Sequence, residues 1–423
     1  MKYISTRQKN ETISFKEATL NGLAKDGGLY VPNHIPSLPK AFFDQLETYS
    51  NHEIAFAVLK PFVSDSLTET QLKSVIFQTL SFPLPTVQVN KNSYALELFH
   101  GPTQAFKDIG ARFMSRCLSY FNEGKEVIVL VATSGDTGSA VANGFYNVSG
   151  IKVKILFPKG KVSPYQEFQM TSLGNNIQAI EIEGTFDDCQ ALVKQAFNDT
   201  NLRKKLALSS ANSINVARLL PQMLYYFLAY KQLKSALGDK KLVVSVPSGN
   251  FGNLTAGLIA KKLGLPISRF IAANNANDTF FNYLTTEIYT PKPSVQTLSN
   301  AMDVGAPSNF ERIMYLYNQQ LEALKLDVSA FTFSDQATLN ELKNCYKNNH
   351  YLLDPHGAIG KLALDKSLKN DELGLFLETA HPQKFSSVIQ KVIPSFKAPK
   401  VDLSHCSKKT IKNNYKNLCD LLE

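Results

Sequence analysis

LVVSVPSGNFGNLTAGLIAKKLG, residues 242–264, is the stretch whose reading decides the fold. LVVSV is a short apolar, β-branched run and predicts a strand over 242–246. PSGNFGN follows as a loop with two glycines, and a helix is expected to begin near Leu254. A helix N-terminus leaves backbone N–H groups unpaired and carries the positive end of the helix dipole, so this loop can hold a phosphate. Gly249 and Gly252 would let the backbone approach an anion without a Cβ in the way. The loop contains neither the GK[ST] of a Walker motif nor GxGxxG. Taken alone, a plain strand-to-helix turn explains it equally well.

The same order of strand, loop and helix recurs. VIVLVAT (127–133) runs into SGDTGS and then the small-residue helix AVANGFY. Further strands are expected at VKILFP (153–158), IQAIEIE (177–183), RFIAAN (269–274) and LGLFLET (373–379), with a helix over 187–197. Continuous apolar strands alternating with helices imply parallel sheets covered on both faces, with ligands beyond the carboxyl ends of the strands. Residues 1–85 read differently, as a mainly helical module with periodic stretches HEIAFAVLKPFV and TQLKSVIFQTL, closed by a Phe82-Pro83-Leu84-Pro85 linker.

A chain of 423 residues predicts two or three domains, and 44% apolar against 19% charged residues describes a folded protein. The apolar runs are too short to cross a bilayer, and the first residues lack the apolar core of a signal peptide. Five scattered cysteines without CxxC spacing argue for a reducing compartment, and no histidine spacing predicts a metal site. The net charge of +9 is spread along the chain, clustering only at Lys408, Lys409, Lys412 and Lys416, which favours a general basic surface over nucleic-acid binding.

Four more stretches carry candidate chemistry. In LELFHGPTQAFKDIGARFM (96–114), Lys107 stands between Phe106 and Asp108, after a turn-forming HGPT and at the start of a helical pattern. An amine walled by aromatic residues loses its proton more easily than a free lysine, and can then form a Schiff base or move protons. A surface lysine is the bland alternative. In TSGDTGS, the groups of Thr133, Ser134 and Thr137 can hold a carboxylate, or merely cap a helix. Asp136 is unfavourable in such a site unless its carboxylate points away or accepts local hydrogen bonds. Asn212, Ser213 and Arg218 in SSANSINVAR offer a cradle for a second phosphate, although such runs are commonly plain loops. Thr379, at the end of its strand, can reach a cofactor ring nitrogen; His381 is read as a structural turn residue.

Together with HGPTQAFKD, these loops resemble those of the threonine synthases, pyridoxal-5′-phosphate (PLP) enzymes of the tryptophan-synthase-β-like fold, fold type II. The resemblance runs nearly end to end through GLAKDGGLYVP (22–32), ATSGDTGSA (132–140), VVSVPSGNFGN (243–253), TLSNAMDVG (297–305), LLDPHGAIG (352–360) and ETAHPQKF (378–385). It implies an α/β fold of two parallel-type sheets flanked by helices with an extra N-terminal module (1–85). It further implies a large PLP-binding domain (86–109 plus 216–423) and a small mobile domain (110–215). Lys107 would carry PLP as a Schiff base and act as acid–base shuttle. Gly249, Asn250, Phe251, Gly252 and Asn253 would hold its phosphate, Thr379 its pyridine nitrogen, and Asp136 would lie near the ring. Thr133, Ser134 and Thr137 would face the substrate carboxylate, and Asn212, Ser213 and Arg218 would grip its phosphate.

The implied reaction is O-phospho-L-homoserine plus water giving L-threonine plus phosphate, in a cytoplasmic monomer or homodimer without nucleic-acid, membrane or metal partners. Gln104 and Asp136 depart from residues common among relatives; as neither is expected to touch the lysine, tuning and not loss of activity is implied. A dehydratase or another lyase of the same fold type is the nearest competitor, but it has no need of Asn212, Ser213 and Arg218 together. A catalytically silent relative would have no need of Lys107, and a nicotinamide-dependent dehydrogenase would need GxGxxG.

Overall fold

Two open sheets carry the chain. The computed structural model describes residues 1–8 and 10–423. The larger sheet runs, edge to edge, Val328–Thr332, Ile267–Asn274, Lys241–Pro247, Glu372–Glu378, Ser93–Glu97 and Thr86–Asn90. Its first five strands are parallel, and Thr86–Asn90 closes the edge antiparallel. The smaller sheet is wholly parallel, in the order Lys408–Lys412, Ile177–Glu183, Ile151–Pro158, Val127–Ala132 and Ala207–Ser210.

The central strands are apolar on both sides because both faces are covered. In the larger sheet Val243 and Phe376 pack with Ala358, Ile359 and Leu364 of helix Pro355–Ser367, whereas Leu242, Val244 and Val246 join the main core on the opposite face. The smaller sheet alternates likewise. Val127, Val129 and Val131 enter the main core, while Ile128, Leu130 and Ala132 pack against Cys189 and Leu192 of helix Phe186–Asn198.

Strand order explains where a ligand belongs. In the larger sheet the chain steps outward from Lys241–Pro247 through Ile267–Asn274 to Val328–Thr332, and then returns as Glu372–Glu378 on the other side of Lys241–Pro247. In the smaller sheet it steps outward from Val127–Ala132, and Ala207–Ser210 returns on the other flank. Crevices beyond the carboxyl ends of strands at such reversals are where open α/β sheets bind ligands. The loops after those four strands contain residues 248–253, 379, 133–138 and 211–218, the same stretches singled out by their chemistry.

Two expectations are corrected, and a third is extended. The division that gives all of 216–423 to the larger unit fails at the C-terminus. Strand Lys408–Lys412 pairs with Ile177–Glu183, and Leu418 and Leu422 of helix Tyr415–Leu422 fill the smaller sheet's core. The helix expected near Leu254 begins at Gly252. The N-terminal module is mainly helical, with capping boxes at Ser14/Glu17, Ser50/Glu53 and Thr68/Gln71. It also has a two-stranded antiparallel ribbon of Tyr3–Ser5 and Tyr30–Pro32, and its apolar side chains are continuous with the main core.

Candidate active site

Lys107 is brought to the end of the central strand by backbone pairing. Ala105 forms an antiparallel bridge with Ala380, and the Phe106 N–H donates to the Thr379 carbonyl at 2.8 Å. Helix Lys107–Phe121 then starts at the lysine itself, anchored by buried Ile109, Phe113 and Met114. The turn before it is locked by Asp108, whose carboxyl accepts from the Thr103 N–H at 2.9 Å and the Thr103 hydroxyl at 2.5 Å. Lys107 Nζ lies 5.3 Å from the centroid of the Phe106 ring. Burial lowers its pKa from 10.5 to about 8; Asp136 opposes that fall, and Lys384 and Arg218 reinforce it. An amine in that range is available as nucleophile and as proton carrier near neutral pH.

The expected phosphate loop has the donors it needs. Among the described residues, none of the backbone N–H groups of Gly249, Asn250, Phe251, Gly252 and Asn253 donates to a protein acceptor. The left-handed residue is Phe251 (φ 59°), not a glycine. Gly249 is required for a different reason from the one expected: a Cβ there would lie 2.6 Å from Met302 Cα, so its bareness makes room for residues 300–306. At Gly252 the surroundings are open, with no atom nearer than 3.6 Å. Asn253 turns inward: Nδ2 donates to the Pro247 carbonyl at 2.9 Å and Oδ1 accepts from the Ser248 hydroxyl at 3.1 Å. Its side chain fixes the loop, leaving its amide for an anion.

The second anion holder is partly self-engaged. Arg218 is 3% exposed and donates through Nη1 to the Ala211 carbonyl, while its Nε is buried without a partner. Asn212 donates to the Ala132 carbonyl at 3.0 Å, tying this loop to the neighbouring strand end, and the Ser213 hydroxyl accepts from Asn250. Behind them Arg312 is fully buried, and its guanidinium donates to the carbonyls of Tyr30, Ser213 and Ile214 and to Asn309 Oδ1. This cation staples the N-terminal module to the loop. In the SGDTG turn, Thr133 Oγ1 accepts from the N–H groups of Gly135 (2.9 Å) and Gly138 (2.8 Å), which folds the turn.

Asp136 meets the condition set by the sequence. Its Oδ1 accepts from Lys384 Nζ at 2.8 Å and Gln166 Nε2 at 3.0 Å. Burial opposes its ionisation, but Lys384, Lys107 and these hydrogen bonds outweigh it and hold the carboxyl below the usual carboxylate range. Asp136 forms no ion pair with Lys107, as expected from the sequence, yet each shifts the other through space. His381 is structural. Its Nδ1 accepts from the Gln383 N–H at 3.2 Å, and its ring meets Phe99 edge-on at 5.2 Å.

Lys107, Thr379 and the loops 249–253, 133–137 and 212–218 converge on one cavity of about 340 Å³. Every site residue expected from the sequence lines it except Asp136, which lies behind the wall. Sequence reasoning gives no role to Lys384, Gln166, Lys292, His356 or the 300–306 segment, although TLSNAMDVG, LLDPHGAIG and ETAHPQKF contain several of them. His356 Nδ1 pairs with Asp354 at 2.5 Å, and its Nε2 accepts from the Ala301 N–H at 3.3 Å, which holds that segment against the cavity. The residues fit a phosphorylated pyridine aldehyde: an amine of lowered pKa, five free amides at a helix start, and the Thr379 hydroxyl.

Comparison with known proteins agrees with this geometry. A family model described as threonine synthase N terminus matches residues 2–80, and one described as pyridoxal-phosphate dependent enzyme matches residues 74–375. A threonine synthase of Haemophilus influenzae is 46% identical over 393 residues, covering 93% of this chain and 91% of its own. The chain belongs to the threonine synthase family. Among solved structures, the threonine synthase of Escherichia coli superposes with a TM-score of 0.92 at 40% identity, covering 100% of this chain and 99% of its own. The PLP-bound threonine synthase of Brucella melitensis gives 0.91 at 35% identity, covering 100% and 98%. Together the two family models span residues 2–375.

Proposed function

We propose that the protein converts O-phospho-L-homoserine and water to L-threonine and phosphate, using PLP held at Lys107. One observation carries the reading: a lysine of lowered pKa faces, across a single cavity, two separate anion holders. One anion holder suffices for a cofactor phosphate; a second at Asn212, Ser213 and Arg218 supports a substrate with a phosphate of its own. The amides of 249–253 would hold the cofactor phosphate and Thr379 its ring nitrogen. Bound PLP supplies the electron-withdrawing ring that makes a substrate α-proton acidic.

The chain's own residues do the rest. Ser134 and Thr137 orient the substrate carboxylate. Lys107 Nζ, once free, takes the proton from the α-carbon, gives it up to the conjugated system that the cofactor would provide, and, neutral again, takes one from the β-carbon. Arg218, Asn212 and Ser213 stabilise the charge that grows on the departing phosphate. Water adds at the β-carbon, and Lys107 returns a proton to the skeleton. Approach of the smaller sheet to the larger would keep other water out.

We also infer a cytoplasmic monomer or homodimer without a nucleic-acid partner. Five free cysteines fit a reducing compartment, and no helix among the described residues is long and apolar enough to cross a membrane. Incubation with O-phosphohomoserine and PLP, with threonine and phosphate both assayed, tests the function. Equimolar release of the two is expected; 2-oxobutanoate without threonine would make the protein a dehydratase-like lyase instead.

A further inference from the structure

Lys384 lies in the short helix Pro382–Phe385 that follows strand Glu372–Glu378 of the larger sheet, while Asp136 starts helix Asp136–Phe145 after strand Val127–Ala132 of the smaller sheet. Their side chains are 0% and 3% exposed, and they meet at 2.8 Å across the two sheets. Lys384 Nζ also donates to the Thr103 carbonyl at 2.7 Å, in the turn that delivers Lys107. The Thr103 carbonyl accepts a second bond from Gln169 Nε2 at 3.2 Å, and the Asp136 carboxylate a second from Gln166. One buried ammonium thus joins the acid behind the cavity wall to the turn carrying the working lysine.

The charge count gives this contact a purpose. Lys384 and Lys107 are two cationic side chains beside one deeply buried carboxylate, Asp136, and Arg218 adds a further positive charge acting on Lys107. An Asp136 without a partner would draw a proton onto Lys107 and keep it as an ammonium, useless as nucleophile or base. An Asp136 already paired leaves Lys107 free to be neutral. We propose that Lys384 is a positioning residue for Lys107: by claiming the Asp136 carboxylate, it sets the charge that Lys107 carries. Other titratable groups face this cluster, and their own partners occupy them. Asp108 is bonded to Thr103, Arg112 donates to the Gln78 carbonyl, and the Tyr225 hydroxyl donates to the Phe106 carbonyl. The His381 ring meets the Lys384 ammonium through space, and its carbonyl accepts from the Lys384 N–H at 3.0 Å.

The inference deepens the reading of Lys107 given above and is tested without turnover. Cofactor-free full-length protein is labelled with acetic anhydride at a series of pH values, and the Lys107 peptide is quantified by mass spectrometry. The wild-type midpoint should fall well below that of the surface lysines. Lys384→Met should raise it by about one pH unit or more, the effect of an opposite charge released next to an amine. Gln166→Leu, which removes the weaker neutral donor to Asp136, should raise it less, and Lys384→Arg should keep it near wild type. A purely structural role would give Lys384→Met an unchanged or lower midpoint in a folded protein, which overturns the proposal. Should Lys384→Met not fold, an unmoved midpoint in Gln166→Leu, or a shifted one in Lys384→Arg, overturns it equally. A wild-type Lys107 that titrates with the surface lysines would instead refute the reading of Lys107 itself.

Discussion

Lys107→Met should stabilise the cofactor-free protein at neutral pH. The fall of the Lys107 pKa from 10.5 to about 8 corresponds, at 1.36 kcal/mol per pH unit, to roughly 3 kcal/mol that the folded state forfeits by holding the ammonium. The sign follows from the direction of the shift. Below pH 8 the lysine is charged in both folded and unfolded chains, so the full cost is present. Between pH 8 and 10.5 the folded chain releases its proton first, and the cost fades; above 10.5 it is gone. Methionine has similar length and no charge, and the Asp136–Lys384 pair remains complete without Lys107. Thermal unfolding of both proteins at equal concentration and scan rate, from pH 7 to 10.5, is the assay. A higher Tm for the variant at pH 7, by a few degrees, should shrink steadily toward pH 10.5. Equal stability at pH 7, or a gap that widens with pH, would refute the account of Lys107 as a buried amine held for chemistry at a cost in stability.

Three further outcomes are expected. Arg218→Ala should lower kcat/KM for O-phosphohomoserine about a hundredfold, near 3 kcal/mol, mainly through KM, while PLP affinity by fluorescence titration stays within about threefold; equal losses would assign the residue to fold or cofactor. Gly249→Ala places a Cβ 2.6 Å from Met302 Cα and should weaken PLP binding at least about tenfold, with a stability loss of roughly 1–3 kcal/mol; unchanged affinity would show that residues 300–306 are free to retreat. Burial and the neighbouring Asp354 push the Glu378 carboxyl well above its usual range, so Glu378→Gln should alter stability by less than about 1 kcal/mol at pH 7 in chemical denaturation. A loss several times larger would mean that Glu378 is ionised.

What could be read in the sequence was whatever burial on two faces had written there. Val127–Ala132, Ile177–Glu183 and Glu372–Glu378 are sandwiched, so their apolar runs announced strands within a residue or two. Strands Val328–Thr332 and Lys408–Lys412 lie at sheet edges with open faces, and their mixed composition gave no run to detect. Ala207–Ser210 is four residues long, and Thr86–Asn90 is an antiparallel edge. The loops were legible because glycine, serine and threonine after a strand carry their chemistry in the residue type. The reasons for individual residues were less so. Gly249 accommodates a segment some fifty residues on, and Phe251 supplies the left-handed turn that a glycine would be expected to make. The role of Lys384 was not legible, although it lies in ETAHPQKF: its worth lies in an acid 248 positions away, and no local pattern distinguishes it from a solvated lysine.

The central claim is tested most directly by borohydride reduction of the PLP-loaded protein, followed by peptide mapping of the chain. The account predicts one pyridoxyl group per chain, on the peptide containing Lys107, and none on Lys384 or Lys292. Reduction onto any other lysine, or a Lys107→Ala variant that still fixes the cofactor covalently in the same yield, would contradict it.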